Sequence, residues 1–102
     1  MRKQARLSPS GALLCPRCGE CFLHHEDASI FVREEDDYWT TVITQNGPNV
    51  TSTPFPNSET CNPSARRQGM IIRFSCEHCE NVPLQLALYQ HKGVTYMEWM
   101  GE

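Results

Sequence analysis

Apolar residues fall at alternate positions through much of the second half of the chain. Met70, Ile72 and Phe74 lie on one side of an extended segment, Ile71, Arg73 and Ser75 lie on the other, and the run ends directly on Cys76. Leu84, Leu86 and Leu88 then alternate with Gln85, Ala87 and Tyr89. A period of two places each set on a single sheet face, so both runs predict strands. Leu and Ala also favour helix, but Pro83 and the alternation decide for strand over 82–91. Lys92-Gly93 supplies a turn, and Val94 to Trp99 returns as a further strand.

The middle of the chain is also extended. Ser29 to Arg33 and Tyr38 to Thr44 are rich in β-branched and aromatic residues. Between them stand Glu34, Glu35, Asp36 and Asp37, four carboxylates that repel one another and suit an exposed hairpin end. Asn46-Gly47 signals a turn, Asn49 to Thr53 a short strand, and Pro48 points to a sheet edge. Residues 54–69 hold three prolines and read as a long irregular loop, with one helical turn over 62–67. Residues 1–12 carry Arg2, Lys3 and Arg6 without apolar periodicity and read as a flexible basic tail. The expected organisation is therefore a single, mainly β domain over 13–102, an antiparallel sheet with an inserted hairpin and loop at about 22–69.

A chain of 102 residues, 39% hydrophobic, has room for one small domain with a modest core. Such a domain gains from a covalent or metal staple, and the six cysteines offer one. Four form two couples, Cys15-Pro16-Arg17-Cys18-Gly19 and Cys76-Glu77-His78-Cys79. Two thiolates two residues apart reach one ion from a single tight turn, whose backbone N–H groups spread the charge on sulfur. Two such turns supply the four thiolates of a structural zinc site, so Cys15, Cys18, Cys76 and Cys79 are the expected ligands of one Zn²⁺. Gly19 suits a turn that needs positive φ; after the second couple stand Glu80 and Asn81, of which Asn tolerates that region. The couples are separated by 57 residues, so the intervening strands must leave the first turn and return beside it. Cys21 and Cys61 read as buried small hydrophobes, with a swapped ligand or a mutual disulfide as alternatives. His24 and His25 are further potential ligands, and His78 is expected to point outward from its turn.

The formal charge is −3, falling to about −5 once four thiolates hold a divalent ion. This balance opposes loose, charge-driven binding to nucleic acid. No secretory leader or membrane-length apolar run is visible, so a reducing, cytoplasmic setting without a membrane partner is expected.

The two knuckles and their flanking strands resemble the zinc ribbon, a β module with Cys-Pro-x-Cys-Gly at one knuckle and Cys-x-x-Cys at the other. The stretch from Asn62-Pro63-Ser64-Ala65-Arg66-Arg67 through Phe74-Ser75-Cys76 to Trp99 is also similar to small uncharacterised zinc-ribbon proteins of bacteria, phages and plasmids. The first resemblance implies transcription, replication or protein docking as uses, and the fold alone does not choose among them.

Two non-enzymatic roles follow. One is a protein-docking adaptor that uses Trp39 and its aromatic neighbours Tyr38, Tyr96 and Trp99, with Glu34, Glu35, Asp36 and Asp37 facing a basic partner. The other is nucleic-acid binding through Arg66, Arg67, Arg73 and Lys92, with Arg17 and His91 if the fold gathers them. A zinc deaminase built on His24-x-Glu26 and the second couple lacks the proline before Cys76 and leaves Cys15 and Cys18 unused. A dithiol redox role needs a βαβ setting that the pattern does not show.

Overall fold

Seven strands succeed one another in a computed structural model that describes residues 3–100, with residues 80–82 described by backbone alone. They are β1 (Lys3–Gln4), β2 (Leu23–Val32), β3 (Trp39–Asn46), β4 (Asn49–Pro56), β5 (Gly69–Cys76), β6 (Cys79–His91) and β7 (Val94–Met100). All neighbours are antiparallel, in the order β1-β7-β6-β5-β2-β3-β4. The mainly β reading is correct, and among the described residues the only helical turn is a 3₁₀ turn at Asn57–Glu59. Residues 62–67, expected as a helical turn, are bends instead.

Local chemistry explains the hairpins. Lys92 (φ 52°) and Gly93 (φ 80°) both occupy the left-handed region, which matches the right-handed twist of the flanking strands β6 and β7. Gly47 (φ 61°) and Pro48 form the β3–β4 turn, closed by the Asn46–Asn49 pair. The strand after it runs to Pro56, past the Thr53 limit expected from sequence. Pro54 and Pro56 are tolerated because β4 is the outermost strand, where their missing N–H groups break no ladder.

Cross-strand register divides the sheet into two faces. Phe74 pairs with Leu84, Ile72 with Leu86 and Leu86 with Trp99 on the first face. There Leu84, Leu86, Trp99, Cys15 and Cys76 form the core cluster, and the Phe74 and Trp99 rings meet edge to face at 5.7 Å. Burying side chains of this size is worth ~1.5–3 kcal/mol each. On the opposite face Phe31, Ile71 and Ala87 are buried. Ile71 shares that side of β5 with Arg73 yet is fully buried, whereas Met70 and Ile72 on the first face are only half-buried.

Residues 3–12 are not the free tail expected from composition. Lys3 and Gln4 pair with Trp99 and Glu98, Ala5 donates to the Met97 carbonyl (3.0 Å), and Leu7 bridges Leu13. The physical reason is the outer edge of β7, whose backbone groups need partners, and the Trp99 cluster, which Ala5 and Leu13 cover. Met1 and Arg2 of that expected tail lie outside the described residues, as do Gly101 and Glu102.

The loop between β4 and β5 packs on the opposite face. Asn57 accepts a hydrogen bond from the Thr40 hydroxyl (2.6 Å), Ser64 donates to the Gln90 carbonyl (3.4 Å), and Pro63 and Ser64 are buried. A Cβ on Gly69 would stand 2.6 Å from Asn62 Oδ1 and 2.7 Å from Pro63 Cγ. Gly69→Ala is therefore expected to lower the unfolding free energy by about 1–3 kcal/mol in urea titration. An unchanged midpoint would mean that this loop does not press on the sheet.

Candidate metal centre

The two cysteine couples meet because β2 and β5 are neighbours. The first turn closes through Cys15 N–H to the Glu20 carbonyl (2.8 Å) and Gly19 N–H to the Cys15 carbonyl (3.0 Å). Gly19 holds φ 79°, as its place after Cys18 requires. The chain then enters β2 with Leu23 opposite Cys76. At the far end of β5, Cys76 and Cys79 are cross-strand partners, so the second knuckle is the tip of the β5–β6 hairpin. Glu77 N–H donates to the Phe22 carbonyl (3.1 Å) and ties the two knuckles together.

All four sulfurs lie within 4.8 Å of one another, with Cys18 Sγ to Cys76 Sγ at 3.6 Å and Cys15 Sγ to Cys79 Sγ at 3.9 Å. A tetrahedron with metal–sulfur bonds of about 2.3 Å has edges of about 3.8 Å. A disulfide needs about 2.05 Å, so the sulfurs are spaced for an ion between them. The donor set fits a soft, tetrahedral divalent metal.

Electrostatics give the same reading. Burial opposes ionisation of Cys15, but the Cys18 and Arg17 amides and the neighbouring Cys76 and Cys18 thiols outweigh it and bring its pKa down to about 7. The Arg17 N–H lies 3.4 Å from Cys15 Sγ. Burial pushes Cys76 up, and burial together with the surrounding thiols pushes Cys79 up to about 12. Four thiolates this close need a cation.

The remaining candidate residues are distributed as follows. Cys21 and Cys61, expected to be buried, are both exposed and free: Cys21 lies in the loop before β2 and Cys61 in the loop before β5, and neither belongs to the core cluster. His24 stays outside the sulfur cluster, its ring 2.6 Å from the Glu77 carboxylate. His78 does point outward, its ring edge-on to Phe22 at 5.5 Å. Sequence reading missed the His24–Glu77 and Phe22–His78 contacts, which buttress the second knuckle. Their only signal is that Phe22, Glu77 and His78 stand next to cysteines.

The acidic run and the arginine loop turn out to be partners of each other. Arg66 binds Asp36 through two guanidinium nitrogens, the shorter contact being 2.6 Å, and reaches Glu35 at 3.6 Å. The Arg66 guanidinium holds the Asp36 carboxyl below the usual range, and Asp36 raises Arg66 in turn. Arg33 donates to the Asp37 carbonyl (2.7 Å). Arg73 is held at 2.6 Å by Asp27 across β2 and β5, well away from Arg66. Arg66, Arg67, His91 and Lys92 do line one shallow pocket, with Glu35 on its wall. Tyr38 and Trp39 are exposed, whereas Trp99 belongs to the core. Among the described residues no helix is long and apolar enough to cross a membrane.

No family model, curated protein or solved structure matches this chain. The ribbon resemblance thus rests on the knuckles and the strands that carry them.

Serine in place of Cys15, Cys18, Cys76 or Cys79 is expected to abolish cooperative unfolding, since metal binding and folding are coupled. Serine at exposed Cys21 or Cys61 should shift stability by less than about 0.5 kcal/mol in the same chemical denaturation series. Equal damage at all six positions would refute the ligand assignment. The raised Cys76 and Cys79 thiols are protonated at neutral pH without metal, so binding must expel at least two protons. Metal affinity should therefore fall about 100-fold or more for each pH unit lost below 7. Competition titrations at several pH values measure this slope, and a flat profile would contradict it.

Proposed function

We propose that this protein is a zinc-stapled, ribbon-type β module that docks a protein partner and performs no catalysis itself. The observation that carries this reading is the exposed aromatic corner where β3 begins and β4 ends. Tyr38 is 64% and Trp39 53% exposed, their rings meeting edge to face at 5.1 Å, while Phe55, 41% exposed, pairs with Thr40 on the other face of the sheet. Large aromatics left in water at a rigid sheet end are the residue types that anchor protein interfaces. The Glu34–Asp37 turn stands beside them, and its Asp36 is already matched by Arg66. Recognition therefore falls chiefly to the aromatics, with Glu34 and Asp37 at the rim. The zinc keeps the sheet rigid, and a cytoplasmic setting agrees with thiolate ligands.

A nucleic-acid reading has one observation in its favour, the gathering of Arg66, Arg67, His91 and Lys92 around one pocket. Against it, Asp36 and Glu35 neutralise Arg66, and Arg73 is committed to Asp27. The net field there is weak, and the chain as a whole is acidic.

Affinity capture from the source cell with and without nuclease separates the two. The docking reading expects a protein retained after nuclease, and its binding to purified module should weaken at least about tenfold on Tyr38→Ala or Trp39→Ala. Loss of all bound material on nuclease treatment, or on Arg67→Ala with Lys92→Ala, would overturn it in favour of nucleic acid.

A further inference from the structure

Among the described residues, half of the first sheet face has no cover. Near β1 and β7 that face is shielded by Ala5, Leu13 and the first knuckle. From β4 to β6 it continues through Ser52, Ile43, Ile30, Met70 and Leu88, which register places side by side, with Val50 in the next row opposite Gln45. Val50 is 66% and Val32 42% exposed, and Ile30, Ile43, Met70 and Ile72 are only half-buried. Over 28–32, 39–45, 50–56, 70–72 and 86–90 register places no Asp, Glu, Lys or Arg on this face: Thr41, Gln45, Ser52 and Gln90 are its polar members, and His25, opposite Phe74, lies on it at the knuckle end. Asp27 of β2 and Arg73 of β5 lie on the other side, and Glu26 stands at the β2 bulge.

We infer that this bare face packs against the same face of a second copy of the chain, turning one sheet into a two-layer sandwich. Three features select a second copy. Two identical sheets carry the same right-handed twist, so they stack face to face about 10 Å apart without distortion. The face is neutral although the chain carries −3, so self-association brings no like charges into contact there. Its extent also suffices. Five strands about 4.8 Å apart, each giving about three same-face residues about 6.7 Å apart, cover near 500 Å² per copy. The pair then buries about 1,000 Å², where specific interfaces begin.

The free edge of the sheet directs the partner to the face. The Asn46–Asn49 pair closes a two-residue turn, so residues 50, 52, 54 and 56 aim their backbone groups outward from β4. Pro54 and Pro56 occupy two of these positions and offer no N–H. Edge-to-edge strand addition is thereby blunted, and stacking remains.

Sedimentation equilibrium on the zinc-loaded chain at about 100 µM, above the micromolar range of small interfaces, reads the result. The expected mass is twice the 11.7 kDa of one chain. In a two-fold contact each substitution adds two charges, so Val32→Glu or Ser52→Glu should weaken dimerisation about 100-fold or more. Both variants should keep one zinc and an unchanged circular dichroism spectrum. Val94→Glu, half-exposed on the opposite face, should leave the dimer intact. A monomeric wild-type chain would overturn the inference and leave the face to another protein. So would a dimer that survives both Val32→Glu and Ser52→Glu, or one that only Val94→Glu dissociates.

Discussion

The arrangement on which the rest of this molecule depends is the convergence of four sulfurs within 4.8 Å of one another. Their residues come from two couples separated by 57 residues, and only the antiparallel pairing of β2 with β5 sets Leu23 opposite Cys76. An ion held there cross-links the N-terminal segment to the β5–β6 hairpin. That segment also covers Trp99, so the metal and the core cluster stabilise the same contact from two sides. In a chain this small, the staple substitutes for area that a larger core would bury.

Once the metal site is read as structural, function moves to the surfaces it holds in place. The acidic turn and Arg66 are matched to each other, which removes much of the charge from the two surfaces that charge alone singled out. Beside them stand two exposed apolar surfaces, an aromatic corner at Tyr38 and Trp39 and a sheet face running from Val50 to Leu88. Both lie on the hairpin and strands that separate the cysteine couples, apart from Leu88 of β6, which follows the second couple.

Strand assignment was legible wherever alternation was uninterrupted. Leu84, Leu86 and Leu88 alternate and do form β6, despite good helix propensities. The clustering of Cys15, Cys18, Cys76 and Cys79 was legible from spacing alone, because a two-residue gap is what one turn around an ion demands. Other features depended on contacts remote in sequence. The burial of Ile71 is fixed by its neighbours across the sheet and not by the pattern of β5 itself. Pro54-Phe55-Pro56 reads as loop until β4 is seen to be an edge strand. The Arg66–Asp36 pair joins residues 30 apart, and no local pattern announces it. The exposed Cys21 and Cys61 show the same limit, since cysteine type alone does not reveal which side of a turn it takes.

X-ray absorption at the zinc edge of the purified protein tests the central claim most directly. A structural site made by Cys15, Cys18, Cys76 and Cys79 predicts one shell of four sulfurs at about 2.3 Å with no nitrogen or oxygen neighbour. A shell containing imidazole or water, or protein that carries no zinc, would contradict it.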